Sequence, residues 1–277
     1  MYEACFNNNF TDALVFYLCI LLLFLLSPCL FIWELINTLR SSFRCTENMS
    51  QKVVLITGAS SGLGELMAYE YAKRGACLAI IATKKPESRL EQVADRAREL
   101  GSPDVLVVFA DVSKVEECRM FVDDTIRHFG RLDHLVTNAG IAPIYSVNID
   151  VTKFAPVMAS KAALISFYES LRFEVSPTIS ITILTLGFVQ TNLITAKYST
   201  NGFGVHLREN FGDIYPSMGA EPCAKAIVDG VCKGATSITE PRFIKSLFFI
   251  KSLFPELHRL IFNRYQSEDM QLLKKDR

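Results

Sequence analysis

A chain of 277 residues has room for one α/β domain of about 200–250 residues and a short extra segment. Its 29 basic and 29 acidic residues give a formal net charge of zero, and without a basic tract to follow phosphates a nucleic-acid partner is disfavoured. The composition is 50% hydrophobic and the mean hydropathy +0.24, high for a soluble domain, and the excess is local.

From Ala13 to Trp33 the chain runs 21 residues without a charge, enough for a bilayer-crossing helix of about 20 residues. Ser27-Pro28 either kinks this helix or turns it back as a hairpin within one leaflet. A cleaved signal peptide competes, but Glu3 and Asp12 stand where a positive n-region belongs and no small-x-small site follows. A buried soluble helix fits less well, since no face is polar. Residues 1–40 are therefore read as a membrane anchor of the signal-anchor type, and 41–51 as a linker. Arg40, Arg44 and Lys52 follow the apolar run, so the domain is expected to face the cytosol. Eight scattered cysteines with no C-x-x-C pair suit reduced thiols on that side. Sequons at Asn9 and Asn48 are usable only in the lumen, so a modified Asn48 would reverse the orientation.

The domain, 52–265, then alternates strand and helix. VVLIT (53–57) is an apolar run of the kind buried on both faces. A glycine turn leads to a helix over 65–74, stopped by Gly75. CLAIIAT (77–83), a charged helix over 87–100, DVLVVFADV (104–112), a helix over 115–129 and LDHLVTNAG (132–140) follow. This order predicts a Rossmann-type, doubly wound parallel sheet.

TGASSGLG (57–64) leaves a strand and opens a helix, the context a phosphate-cradling turn needs. Gly58 allows the tight turn, Gly62 lets backbone approach a pyrophosphate, and Gly64 lets helix pack on strand; the helix N-terminus adds N–H donors. The combination TGxxxGxG, Asp111 after the third strand and NAG at 138–140 resembles the classical short-chain dehydrogenases/reductases, over about residues 50–260. The resemblance implies that Asp111, with Val112, accepts a bond from the adenine amino group, and that Asn138, Ala139 and Gly140 support the sheet beside the cofactor. It also assigns Ser60, Ser61 and Leu63 to the cofactor turn. At the end of the second strand an NAD enzyme carries an acid for the ribose hydroxyl. Here the chain reads Ala82-Thr83-Lys84-Lys85; Thr83 and Lys84 are cofactor-contacting positions, and lysines attract a 2′-phosphate. NADP is therefore expected over NAD, unless the lysines only start a solvated helix.

In this family a tyrosine passes the proton, a lysine four residues on lowers its pKa, and a serine from the preceding strand polarises the substrate oxygen. ASKAALISFYESLRFEV (159–175) resembles the Tyr-Lys helix, with Lys161 as the motif lysine, catalytic and cofactor-binding. Four residues earlier stands Val157, which carries no proton. Gly140 and Lys161 are 21 positions apart, whereas a further helix and strand with their loops need on the order of forty more residues. Tyr145 and Ser146 do not compensate and are read as loop. The junction falls between Met158 and Ala159, as an exon-skipped isoform or a gene-model error would leave it. The sheet is thus expected to lack one central strand and helix. One fused helix, about Thr152–Phe173, should carry the chain from the fourth strand to ISITILTL (179–186), with Pro156 tolerated near its first turn. The family's Pro-Gly-x-x-x-Thr loop is present as Leu186-Gly187-Phe-Val-Gln-Thr191, assigning Gly187, Val189 and Thr191 to the cofactor.

Residues 241–265 mix Phe, Leu and Ile with Lys245, Lys251, Arg259 and Arg264. They either cover a substrate pocket, as in the family, or rest on a membrane surface. The polar tail, 266–277, ends in Lys274-Lys275-Asp276-Arg277, which resembles a dilysine retrieval signal or is a frayed terminus. The four histidines have no metal-ligand spacing, and no metal is expected. KVVLITGASSGLGE, AYEYAKRGA, ARELGSPDV, ADVSKVE and ASKAAL, after an anchor, resemble the plant 11β-hydroxysteroid dehydrogenase-like group, which includes steroleosins. That implies NADP-dependent oxidoreduction of a CH–OH/C=O group on a steroid, sterol or other hydrophobic substrate in lipid metabolism, at the endoplasmic reticulum or a lipid droplet. The alternative is a catalytically inactive anchored isoform that binds nucleotide, or dimerises with itself or with full-length relatives.

Overall fold

The computed structural model describes residues 32, 36, 46–84, 89–140, 151–175, 179–191, 217–256 and 259, with backbone only for 151–157 and 249. The chain divides into two compact units, Met1–Thr46 and Glu47–Arg277. Except for Ile32, the apolar run at 13–33 lies outside the described residues, as do Lys85, residues 141–150 and the tail. Among the described residues no helix is long and apolar enough to cross a membrane.

Four parallel strands form the main sheet, β1 (Val53–Thr57), β2 (Cys77–Ala82), β3 (Val105–Phe109) and β4 (His134–Val136), in the order β3-β2-β1-β4. Every residue of β1 and β2 is buried, as central parallel strands require when both faces are covered. On one face, Val54, Ile56, Leu78 and Ile80 pack with three helices, α1 (Gly62–Ala72), α2 (Leu90–Glu99) and the later α5 (Ala220–Cys232). Tyr71, Met67 and Ala68 of α1 share that core with Cys223, Ala224, Ile227 and Val228. The opposite face is thinner. Leu55, Ala79 and Ile81 meet Ala110 and Phe121, the latter on α3 (Val115–Phe129), in a much smaller cluster. Helices on both faces make the sheet doubly wound, as expected.

The fused helix is present as α4 (Val151–Val175), slightly longer at both ends than the expected 152–173. Pro156 is its sixth residue, beyond the first turn expected for it. Because only the first four amides of a helix lack an intrahelical partner anyway, a proline here removes one further bond.

The continuation of the sheet differs from expectation. The strand expected within 179–186 is β5 (Ile183–Leu186), and it pairs not with β4 but with β8 (Ser237–Glu240), in a separate two-stranded sheet. A second pair joins β6 (Val189–Gln190) to β7 (Met218–Gly219). The chain therefore does not close over the lost strand by moving β5 inward. Two edges instead stay apart, and among the described residues nothing pairs with the outer side of β4. On α4, Met158, Leu164, Ile165 and Phe167 are exposed and Phe173 is 86% exposed, so these apolar side chains are left uncovered. Leu135, in register with fully buried Leu55, is 53% exposed on the thin face. Arg172 ties the far end of α4 to the small sheet, donating to the carbonyls of Ile181 at 3.0 Å and Thr236 at 2.8 Å. A short helix, α6 (Phe243–Leu253), follows β8.

Candidate functional site

The glycine turn leaves the buried end of β1. Gly58 has φ +67°, and a Cβ there would lie 2.9 Å from the Cα of Ala139, so the position needs both the left-handed backbone and the missing side chain. Gly64 needs the missing side chain more. A Cβ would stand 2.4 Å from the Gly58 carbonyl oxygen and 2.5 Å from Asn138 Nδ2, which is why α1 seats directly on the turn. Gly62 has φ +66° with Thr191 beside it, 3.7 Å from a notional Cβ. At the helix start, Ser61 makes no side-chain capping bond. The first-turn amides near Ser60, Ser61, Gly62 and Leu63 are thus not capped by that side chain, and this glycine-walled cradle fits a phosphate group.

Thr57 locks this cradle to the NAG turn. Its Oγ1 accepts the N–H groups of Asn138 and Ala139, each at 3.1 Å, and donates to the Val136 carbonyl at 3.3 Å. Asn138 Nδ2 returns two bonds, to the carbonyls of Thr57 at 3.1 Å and Gly58 at 3.3 Å. Nothing in the sequence reading gave Thr57 a role; its place ahead of the first glycine was the available signal.

The remaining positions surround the cradle. Thr83 and Lys84 are exposed where β2 ends, with no carboxylate between Ala82 and Lys84. Asp111 follows β3, and its carboxyl is held below the usual range chiefly by the Ser113 N–H, helped by the Ser113 side chain; Val112 is exposed. On the far side, Gly187 donates its N–H to Glu240 O at 2.8 Å, Val189 is buried, and Thr191 closes on Gly62. A second unforeseen element is the Arg89–Glu65 ion pair at 2.9 Å, in which Glu65 also accepts from Tyr69 at 3.0 Å. Arg89 and Glu65 line a small cleft of ≈ 170 Å³ with Gly62, Gln190 and Thr191. Burial, with the Glu65 carboxylate against it, pushes the Tyr69 phenol up to about 12.

Lys161 meets the site despite the shortened connection: a Cβ on Gly140 would lie 3.5 Å from its Nζ. No acidic partner is recorded for it among the described residues. Four residues before it in sequence, the expected tyrosine position is Val157; the residues between Gly140 and α4, Tyr145 and Ser146 among them, lie outside the described residues. No group of three or more potential metal ligands occurs among the described residues.

The short chain dehydrogenase family profile matches residues 52–158, ending at the residue where the sequence places the junction. The chain is 42% identical to 11-beta-hydroxysteroid dehydrogenase 1A of Arabidopsis thaliana, over 76% of this chain and 74% of that protein. It is 40% identical to 11-beta-hydroxysteroid dehydrogenase-like 3 of the same plant, over 87% and 89%. The first of these alignments spans 262 positions, but 76% of 277 residues is about 210, so about 50 of its positions face no residue here. That number is of the same order as the roughly forty residues that a further helix and strand with their loops need. Among solved structures, L-sorbose reductase from Gluconobacter frateurii, complexed with NADPH and L-sorbose, superposes with TM-score 0.56 at 23% identity, over 69% of this chain and 94% of that one. A short-chain type dehydrogenase/reductase from Mycobacterium marinum gives 0.58 at 20%, over 69% and 94%. At those identities the likeness is one of fold. The chain belongs to the short-chain dehydrogenase/reductase family of nicotinamide-nucleotide oxidoreductases, and within it resembles the plant 11β-hydroxysteroid dehydrogenase-like proteins.

Proposed function

We propose that this chain binds NADP(H) at the glycine cradle, as a membrane-anchored relative of enzymes that interconvert a CH–OH and a C=O group on a steroid, sterol or other hydrophobic substrate. The supporting observation is the interlock of Thr57, Gly58, Gly64 and Asn138, which builds the cradle from this chain's own residues. Lys84 beside Thr83, without a carboxylate, favours the 2′-phosphate of NADP over the bare ribose of NAD. The bound nicotinamide would supply or accept the hydride. Asp111 would accept the adenine amino group, the α1 amides would hold the pyrophosphate, and Lys161 would bind the ribose beside Gly140. Gly187, Val189 and Thr191 would border the nicotinamide end.

Proton transfer is where this chain departs from its relatives. A hydride acceptor on carbon needs a proton for its oxygen, and Val157 has none to give. One specific observation therefore favours a second reading, a catalytically silent isoform that keeps the nucleotide site and dimerises with itself or with full-length relatives. Calorimetry with NADPH, paired with turnover of a generic steroid ketone, separates the two. Binding without turnover supports the silent isoform, turnover supports the enzyme, and absence of binding refutes the cofactor assignment in both.

The uncharged run at 13–33 supports placement at the endoplasmic reticulum or a lipid droplet, with the domain in the cytosol. Exposed Phe243, Phe248 and Phe254 near exposed Lys245 and Lys251 suit a second contact with lipid headgroups. Protease protection of the full chain in microsomes tests the orientation; a protected domain would overturn it.

A further inference from the structure

The turn between β3 and α3 holds a carboxylate that the family motifs leave unassigned. Lys114 is the N-cap of α3 and makes no side-chain cap bond, so Glu117 is the third helical residue. A glutamate there ordinarily reaches back to the N-cap amide. Glu117 reaches three residues further. Its Oε2 accepts the Asp111 N–H at 2.6 Å, while Lys114 Nζ donates to its Oε1 at 2.7 Å.

This matters because of where Asp111 stands. The ladder with β2 ends as Ala110 donates its N–H to Ala82 O at 3.0 Å, so Asp111 is the first residue the sheet no longer holds. Its carbonyl takes the Lys114 N–H at 3.0 Å, and its carboxylate takes the Ser113 N–H at 2.9 Å. The amide that fixes its own backbone direction is held, among the described residues, by Glu117. The Lys114 ammonium attracts both carboxylates and offsets their repulsion. The bond from Lys114, then the Asp111 N–H, hold the Glu117 carboxyl below its usual range. A carboxylate offers about four acceptor sites, so Asp111 retains room for an incoming donor.

We propose that Glu117 is a positioning residue for adenine recognition: by gripping the Asp111 amide it aims the Asp111 carboxylate at the adenine amino group. The proposal rests on the NADP-binding reading above. A merely helix-capping glutamate would stabilise α3 without caring which base is bound, and this difference is measurable.

The test compares NADPH with its deamino analogue, in which hypoxanthine replaces adenine and the amino donor is gone. Dissociation constants are measured by calorimetry on the full chain in detergent, for wild type, Glu117→Ala and Glu117→Gln. Wild type should prefer NADPH by about tenfold, the usual worth of one hydrogen bond to a charged acceptor. Glu117→Ala should bring that ratio to about one to two. Glu117→Gln, whose amide oxygen still accepts the Asp111 N–H, should restore most of it. An unchanged ratio in Glu117→Ala overturns the proposal, whether or not both nucleotides bind more weakly. A wild-type ratio of one overturns the link to adenine while leaving NADP binding intact. Wild type that binds neither nucleotide overturns the cofactor reading, and the proposal with it.

Discussion

Replacing Thr57 by valine keeps the branched shape that suits a strand and removes only the hydroxyl. Thr57 is 5% exposed, so water does not substitute for what is lost. The donated bond to Val136 O, at 3.3 Å, is long and contributes about 0.5 kcal/mol. The larger loss is on the accepting side. Asn138 and Ala139 both donate to Oγ1 at 3.1 Å; the Asn138 N–H is shared with the Val136 carbonyl, also at 3.1 Å, so only the Ala139 N–H is left without a partner, which for a buried donor costs about 1–3 kcal/mol. Both residues are half-buried, which puts the Ala139 amide near 1 kcal/mol and the shared Asn138 amide at about 0.5 kcal/mol. The Asn138 side chain keeps its own two bonds to the turn, so the amides are held in place and cannot swing to new partners. Thr57→Val should therefore lower stability by about 2 kcal/mol. Thr57→Ser keeps the oxygen and loses one methyl, for about 1 kcal/mol. Urea unfolding of the full chain in mild detergent, followed by far-UV circular dichroism, measures both. A valine variant within about 0.5 kcal/mol of wild type, or a serine variant that falls as far as valine, refutes the idea that the hydroxyl holds the two turns together.

Gly64→Ala should prevent the native turn from forming, because its Cβ meets backbone at 2.4 Å. Gly62→Ala meets only ordinary contacts and pays for its positive φ, about 1–2 kcal/mol; thermal unfolding of the pair should separate them clearly. Burial raises the Asp133 carboxyl, but the Arg131 side chain and the Val53 N–H, which donates to Oδ2 at 2.9 Å, outweigh it and hold the carboxyl below its ordinary 3.8. A lowered folded pKa stabilises fully above the unfolded value and fades as pH falls through the folded one. The stability gap between wild type and Asp133→Asn should thus be constant near neutrality and shrink below pH 3.8; a gap that widens there contradicts the assignment. Lys84→Ala should weaken NADPH by about two- to fivefold, the scale of one exposed ion pair, and leave NADH unchanged. Titrations of both nucleotides show whether the loss is selective.

The first half of the domain was readable because its strands are apolar end to end. Val53–Thr57 and Cys77–Ala82 are buried at every position, the one environment in which a strand shows no alternation. The glycine cradle was readable for a related reason, since only glycine tolerates backbone at 2.4 Å from where a Cβ would be. Helix α4 was readable as a helix but not in its setting: its spacing predicts the coil, whereas the exposure of Phe167 and Phe173 is set by which elements pack on it, and among the described residues none covers them. Residues 217–240, which form β7, α5 and β8, raised no expectation at all. Yet α5 supplies Ile227 and Val228 to the main core, and β8 is the partner β5 takes. Thr57 and Glu117 stayed hidden because each acts on backbone amides distant in sequence or outside the usual capping register.

The outer side of β4, unpaired among the described residues, has a consequence for how this chain behaves among its own copies. An edge whose amides and carbonyls point outward can template an extended segment of another molecule, and Leu135 adds an apolar foothold beside it. With only three residues, His134–Val136, the template is too short to bind one neighbour tightly, yet it recurs on every copy. Association at this edge should therefore rise with concentration without a fixed stoichiometry. How long the chain survives in a cell would then depend on chaperone capacity and on its own expression level as much as on its folding free energy.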